Sequence, residues 1–236
     1  MLLETNNQTL MKRSISLILT ALVLMSAPAF AQTKSDVEKQ LEQVGLKNVA
    51  EEIPGIEVYM VYSTPYNFMG RVLYKDLDEA YLVPEAIEKL KKANALLRKK
   101  RMDLHLVVYD AARPRSIQEQ MWKVVANTEL QSFVANPYKR GGGPHNYGIA
   151  VDVTLVDCTG HPLPMGSEYD YFGDRSRTDI ELQLLEKGEI TRREFENRRL
   201  LREIMTEAGW RVDPGEWWHF NAMPLAEASQ RFAVIK

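Results

Sequence analysis

The sequence predicts an α+β fold in a single domain. Helical and strand patterns alternate irregularly along the chain, without the regular βαβ succession of a doubly wound sheet. No internal repeat, low-complexity tract or Pro/Gly/Ser-rich linker divides it. Once an N-terminal leader is set aside, residues 32–236 are enough for one sizeable core.

The leader comes first. Lys12-Arg13, the apolar run Ile15 to Met25 and Ala29-Phe30-Ala31 reproduce the charged region, apolar region and small-x-small exit of a secretory signal peptide over residues 1–31. The apolar run is shorter than the ~20 residues of a membrane span; an uncleaved anchor is the alternative. Met1 to Leu10 is polar and makes a poor leader start, so Met11 is an alternative first residue. The expectation is a periplasmic or secreted protein with no stable membrane association after cleavage.

Ser35 to Val44 reads as a short helix and Val58 to Tyr62 as a strand, followed by a loop over Ser63 to Gly70. Pro84 opens a helix in which Ala86, Leu90, Ala93 and Leu97 recur at helical spacing. Its basic end, Arg98-Lys99-Lys100-Arg101, suits the negative pole of the helix dipole. Asp103 to Asp110 is a strand, with Leu104, Leu106 and Val108 alternating against His105, Val107 and Tyr109.

Ser116 with Glu119 predicts a capping box for a helix through Ala126, its apolar stripe being Ile117, Met121 and Val124. Ile149 to Val156 is a strand, and Asp157 to Pro164 turns. Thr178 with Glu181 and Thr191 with Glu194 predict capped helices, the second ending at Gly209. Trp210 to Val212 and Trp217 to Phe220 predict paired strands around the Asp213-Pro214-Gly215 turn.

The net charge of −2 gives no general attraction for nucleic acid. The single cysteine, Cys158, precludes an internal disulfide and sits at a turn. No obligate protein partner is indicated.

Two segments concentrate metal-ligand chemistry. Gly143-Pro144-His145-Asn146-Tyr147-Gly148-Ile149-Ala150-Val151-Asp152 contributes His145 and Asp152; Gly215-Glu216-Trp217-Trp218-His219-Phe220 contributes His219. Two imidazoles and a carboxylate suit one Zn2+ with a position open for water, and Glu216 remains as a proton acceptor. Along the predicted strand, Ile149, Val151, Val153 and Leu155 face the core and Asp152 faces away. Gly148 permits the bend that brings His145 over the same face. Glu216 and His219 are three apart, so both reach one ion only through a bulge or with Glu216 in the turn. His105 and His161 are expected to be structural.

A third element is Tyr109-Asp110-Ala111-Ala112-Arg113-Pro114. Arg113, fixed by the following proline, suits a developing oxyanion. A structural Asp110–Arg113 ion pair explains the spacing equally well.

These residues resemble the VanX-type D-alanyl-D-alanine dipeptidases, zinc peptidases related to D-Ala-D-Ala carboxypeptidases and the hedgehog signalling domain. The family pattern Ser-x-His-x-x-Gly-x-Ala-x-Asp is matched at His145, Gly148, Ala150 and Asp152, and Glu-x-Trp-His at Glu216, Trp218 and His219. Asp-x-x-Arg-Pro is matched at Asp110, Arg113 and Pro114. Met165-Gly166-Ser167-Glu168-Tyr169-Asp170 resembles the loop whose aspartate, here Asp170, binds the dipeptide's free amine; Asn67-Phe68-Met69-Gly70 is also similar. Gly143 stands where the family has serine.

The resemblance implies a hedgehog/DD-peptidase-like fold over residues 32–236, with a small, mainly antiparallel sheet and helices packed on one side. It implies a zinc dipeptidase in cell-wall peptide metabolism, with one zinc on His145, Asp152 and His219, Glu216 and Arg113 catalytic, and a small D,D-dipeptide as substrate. A D,D-carboxypeptidase or other peptidoglycan-trimming peptidase on the same scaffold is the alternative.

Overall fold

The computed structural model describes residues 33–236; the leader expected over residues 1–31 lies outside the described residues. In chain order the regular elements are α1 (Asp36–Gln43), β1 (Lys47–Asn48), α2 (Val49–Glu52), β2 (Glu57–Val58), β3 (Tyr81–Leu82), α3 (Pro84–Lys100), β4 (Leu104–Asp110), α4 (Arg115–Val125), β5 (Ala150–Asp157), α5 (Glu181–Glu186), α6 (Arg192–Glu207), β6 (Arg211–Val212), β7 (His219–Asn221) and α7 (Leu225–Arg231). This is the expected α+β class.

Strands β2-β4-β5-β7-β6 form the main sheet in that order, and β1 and β3 a small antiparallel one. The main sheet is antiparallel except for the β2–β4 pair. Helices α3 and α6 pack on β4 and β5 respectively and on each other, so they share one face of the sheet. Ile149, Val151, Val153 and Leu155 meet them fully buried, together with Leu104, Leu106 and Val108, as the alternation predicts. Ala150, Asp152 and Thr154 on the opposite face are buried too, so β5 is covered on both sides.

Most helix starts follow their sequence signals. Ser35 caps α1 and Thr191 caps α6, each in a full capping box, and α6 stops at Ala208 before Gly209 in the left-handed region. Two predicted boxes do not form. Pro114 is the N-cap of α4, and the C-terminal tail satisfies the first helical N–H through Arg115 N to Ile235 O at 2.8 Å. Ser116 therefore lies inside the helix, and Glu119 pairs with Arg115. Thr178 donates instead to Asp213 O, while Glu181 pairs with Arg202.

Three boundaries also shift. The strand expected over Val58 to Tyr62 is only β2, because the chain turns into a 3-10 helix at Val61–Ser63. In α4, Val125 rather than Val124 is buried. The hairpin around Asp213-Pro214-Gly215 is present, with Val212 opposite Phe220, but its second strand begins at His219.

Candidate metal centre and active site

Strand register assembles the site. Asp152 on β5 stands directly opposite His219 on β7 and opposite Asp110 on β4. Three neighbouring strands thus present Asp110, Asp152 and His219 in one row. Strict alternation along β4 would place Asp110 in phase with Leu106 and Val108, on the core face. A register shift between Val108 and Asp110 re-aims it, the usual effect of a β-bulge.

His145 arrives from outside the sheet. Pro144–Tyr147 forms a 3-10 turn ending at Gly148, which adopts φ +65° and hydrogen-bonds back to His145 O. A side chain on Gly148 would meet Leu46 at 2.7 Å. Glycine is required here for both conformation and space.

The three expected ligands converge. His145 Nε2, His219 Nδ1 and Asp152 Oδ1 are separated by 3.1, 3.0 and 3.3 Å around the triangle. A tetrahedral ion at ~2.0–2.1 Å from each ligand sets ligand atoms about 3.3 Å apart, so the triangle has the right size for one face of the coordination sphere. Each ligand's other atom is occupied. His145 Nδ1 donates to Ala111 O at 2.7 Å, His219 Nε2 donates to Asn221 Oδ1 at 3.0 Å, and Asp152 Oδ2 accepts from Tyr169 at 2.8 Å. With an ion bound, these second partners would hold each ring with its other nitrogen unprotonated and turned inward. Among the described residues, His145, Asp152 and His219 form a buried group able to hold a metal ion.

Glu216 lies in the turn before β7, the second of the two arrangements its spacing allows. Its Oε2 is 3.9 Å from His219 Nδ1, outside the triangle but beside it. Burial, opposed by His219 and reinforced by Asp152, Asp213 and Asp170, pushes its carboxyl up to about 8. For Asp152, burial works against the charge, yet His145 and His219 outweigh it and hold the group well below the usual carboxylate range.

Arg113 forms the ion pair with Asp110 that its spacing allows, and it also faces the site. It pairs with the fully buried Asp110 through Nε at 2.9 Å and Nη2 at 2.5 Å, and Nη1 donates to Gln118 at 2.8 Å. A guanidinium has five N–H donors, so one on each terminal nitrogen is left over. Arg113 lines the same cavity as the triangle, which has a volume of about 270 Å³.

Asp170 lines that cavity as well. Tyr62 donates to its Oδ1 at 2.9 Å, and its backbone holds a left-handed φ of +60°. Burial raises its carboxyl to about 7, with Tyr62 opposing and Asp152 adding. All six expected site residues therefore gather at one cavity. His105 and His161 stay outside, hydrogen-bonded to Arg98 and Thr159. Cys158 is exposed and free.

Sequence reasoning missed Tyr62, Tyr169, Gln118 and Asn221. Asn221 carried a readable signal, because two residues from His219 along a strand is the same face. Tyr62 carried none, since it reaches Asp170 across 108 residues.

Residues 42–235 match the family model of the D-Ala-D-Ala dipeptidases. The chain is 31% identical over 163 residues to the D-alanyl-D-alanine dipeptidase of Synechocystis sp., spanning 57% of this chain and 66% of that protein. It is 30% identical over 176 residues to the Escherichia coli D-alanyl-D-alanine dipeptidase, spanning 75% and 83%. It is 26% identical over 196 residues to that of Enterococcus faecium, spanning 75% and 91%. With the family model matched along most of its length, the chain belongs to the D-Ala-D-Ala dipeptidase family.

Proposed function

We propose that this protein is an exported zinc dipeptidase that hydrolyses D-alanyl-D-alanine and similar small D,D-dipeptides to free amino acids in cell-wall peptide metabolism. The observation that carries the reading is the triangle of His145 Nε2, Asp152 Oδ1 and His219 Nδ1, with a carboxylate beside it and a second carboxylate lining the same small cavity. Two nitrogens and one oxygen are a donor set that zinc favours in hydrolytic sites. When bound, zinc supplies Lewis acidity and a water acidified toward ~7.

The chain's own residues do the rest. Glu216 accepts a proton from the attacking water and delivers it to the departing amine nitrogen. Its raised affinity for protons suits that transfer near neutral pH. Arg113 directs its two remaining N–H groups at the negative charge growing on the scissile carbonyl oxygen. Asp170 pairs with the free ammonium of the substrate. The cavity is smaller than the ~300–1,000 Å³ of drug-sized ligand sites, which favours a substrate of two small residues. The leader pattern in residues 1–31 supports action in the periplasm or outside the cell, and N-terminal sequencing of exported protein beginning at Gln32 would agree with it. Among the described residues no helix is long and apolar enough to cross a membrane.

Hydrolysis of D,D-, L,D- and L,L-dipeptides, with free and acylated amines, tests the reading. D-Ala-D-Ala should be cleaved and its N-acetyl form spared. Equal cleavage of both would identify a D,D-carboxypeptidase instead. Glu216→Ala should retain zinc and lose turnover by roughly 100-fold or more. Loss of the metal in that variant would make Glu216 a ligand and refute its role as base.

A further inference from the structure

Arg198 on α6 is only 1% exposed, yet among the described residues no carboxylate hydrogen-bonds to it. The nearby acids are engaged elsewhere, Glu181 with Arg202 and Glu194 in the capping box with Thr191. Its guanidinium instead donates to three main-chain carbonyls. Nε reaches Met165 O, Nη2 reaches Arg175 O at 2.5 Å, and Nη1 reaches Arg177 O at 3.3 Å. The preceding residue, Asn197, donates to Pro164 O at 2.9 Å. One turn of α6 thus grips both ends of the segment 164–177. Gly166 completes the close approach, since a side chain there would meet Ile190 at 2.6 Å and Arg198 Nη2 at 3.1 Å.

A buried guanidinium without a carboxylate is a poor choice for stability alone, because an apolar side chain of similar volume avoids its desolvation. Burial lowers its proton affinity to about 10, so it stays charged at neutral pH. What it supplies is a planar fork that binds three carbonyls at once, which neither Met nor Lys reproduces. The middle of the gripped segment carries Asp170, whose φ of +60° is in the left-handed region, sparsely populated outside glycine although Asp tolerates it better than most residues.

We propose that Arg198 is a positioning residue for the substrate ammonium: by clamping both ends of residues 164–177 it holds Asp170 in the cavity. This rests on the dipeptidase reading and adds to it a remote determinant of free-amine recognition.

The test is a double-mutant cycle on D-Ala-D-Ala hydrolysis by the full-length, zinc-loaded enzyme. Arg198→Lys should raise KM about tenfold with kcat changed no more than about twofold, and Asn197→Ala should raise KM about twofold. In an Asp170→Asn background both should leave KM within about 1.5-fold, because the group they position is gone. An unchanged KM in Arg198→Lys, a fall in kcat alone, or the same rise in both backgrounds overturns the inference. If Arg198→Lys does not fold, Asn197→Ala, at a half-buried position, carries the same comparison. Absence of hydrolysis by the wild type overturns the dipeptidase reading itself, and this inference with it.

Discussion

At the scale of single residues, the site depends as much on what the ligands do with their outer atoms as on the ligands. His219 is turned by Asn221, His145 by the Ala111 carbonyl and Asp152 by Tyr169. Losing such a partner commonly weakens metal affinity by roughly 10–100-fold. Asn221→Ala should therefore lower zinc affinity by about tenfold without unfolding the protein, since Asn221 is the one half-buried residue of β7, at its end. Competition against a chromophoric chelator measures it, and an unaltered affinity would remove Asn221 from the ligand support. Arg113 shows the same economy: Asp110 and Gln118 occupy three of its donors and fix the direction of the remaining two.

At the scale of elements, β5 is the keel of the molecule. Its odd-numbered residues meet the helices and its even-numbered ones bear Asp152, so a one-residue slip would bury the ligand in the core. The approach to His145 is constrained from another side. Gly143 stands where the family has serine, and a side chain there would come within 2.7 Å of the Ala135 methyl. The Ala135 carbonyl accepts from Gln118, which holds Arg113. Gly143→Ser should thus cost about 1–3 kcal/mol through overpacking and lower kcat/KM by displacing Gln118. Ala135→Gly in the same chain should restore most of the loss. Thermal unfolding and kinetics of the single and double variants check this; a stable, fully active Gly143→Ser would show that the 133–135 segment yields freely.

At the scale of the whole molecule, the site stores unfavourable charge that ligands relieve. Asp170 and Glu216 both bind protons more tightly when folded, at about 7 and 8, than ordinary carboxyls do. Between the unfolded and folded values the native state holds more protons, so stability falls as pH rises from about 4 to about 8. Chelator-treated protein should accordingly melt at a lower temperature at pH 8 than at pH 5. Asp170→Asn should flatten that slope and raise the melting temperature at pH 8 by a few degrees, ~1 kcal/mol being worth about 2–4 °C at this size. Zinc at 100 times its Kd should add about 2.7 kcal/mol. A melting temperature that rises with pH in the chelated protein would contradict the buried-carboxylate account.

Local chemistry explains what was legible in the chain itself. Periodicity marked α3, β4 and β5, a capping box marked the start of α6, and glycine marked the bend at Gly148, because each depends on neighbours within a few residues. The metal ligands were legible for the same reason: their spacing around Gly148 and before Phe220 constrains which face each side chain takes. The bulge that turns Asp110 from the core to the site, the Tyr62 bond to Asp170 and the grip of Arg198 on residues 164–177 were not legible. These contacts join residues far apart in the chain or change a strand's phase, and no local propensity records either. The sequence by itself singled out His145, Asp152 and His219 as the candidate ligand set and pointed to the class of chemistry, whereas the orientation of Asp110 and the meeting of Asp170 with Tyr62 at the cavity were decided only by tertiary packing, because they depend on strand phase and on contacts between distant residues.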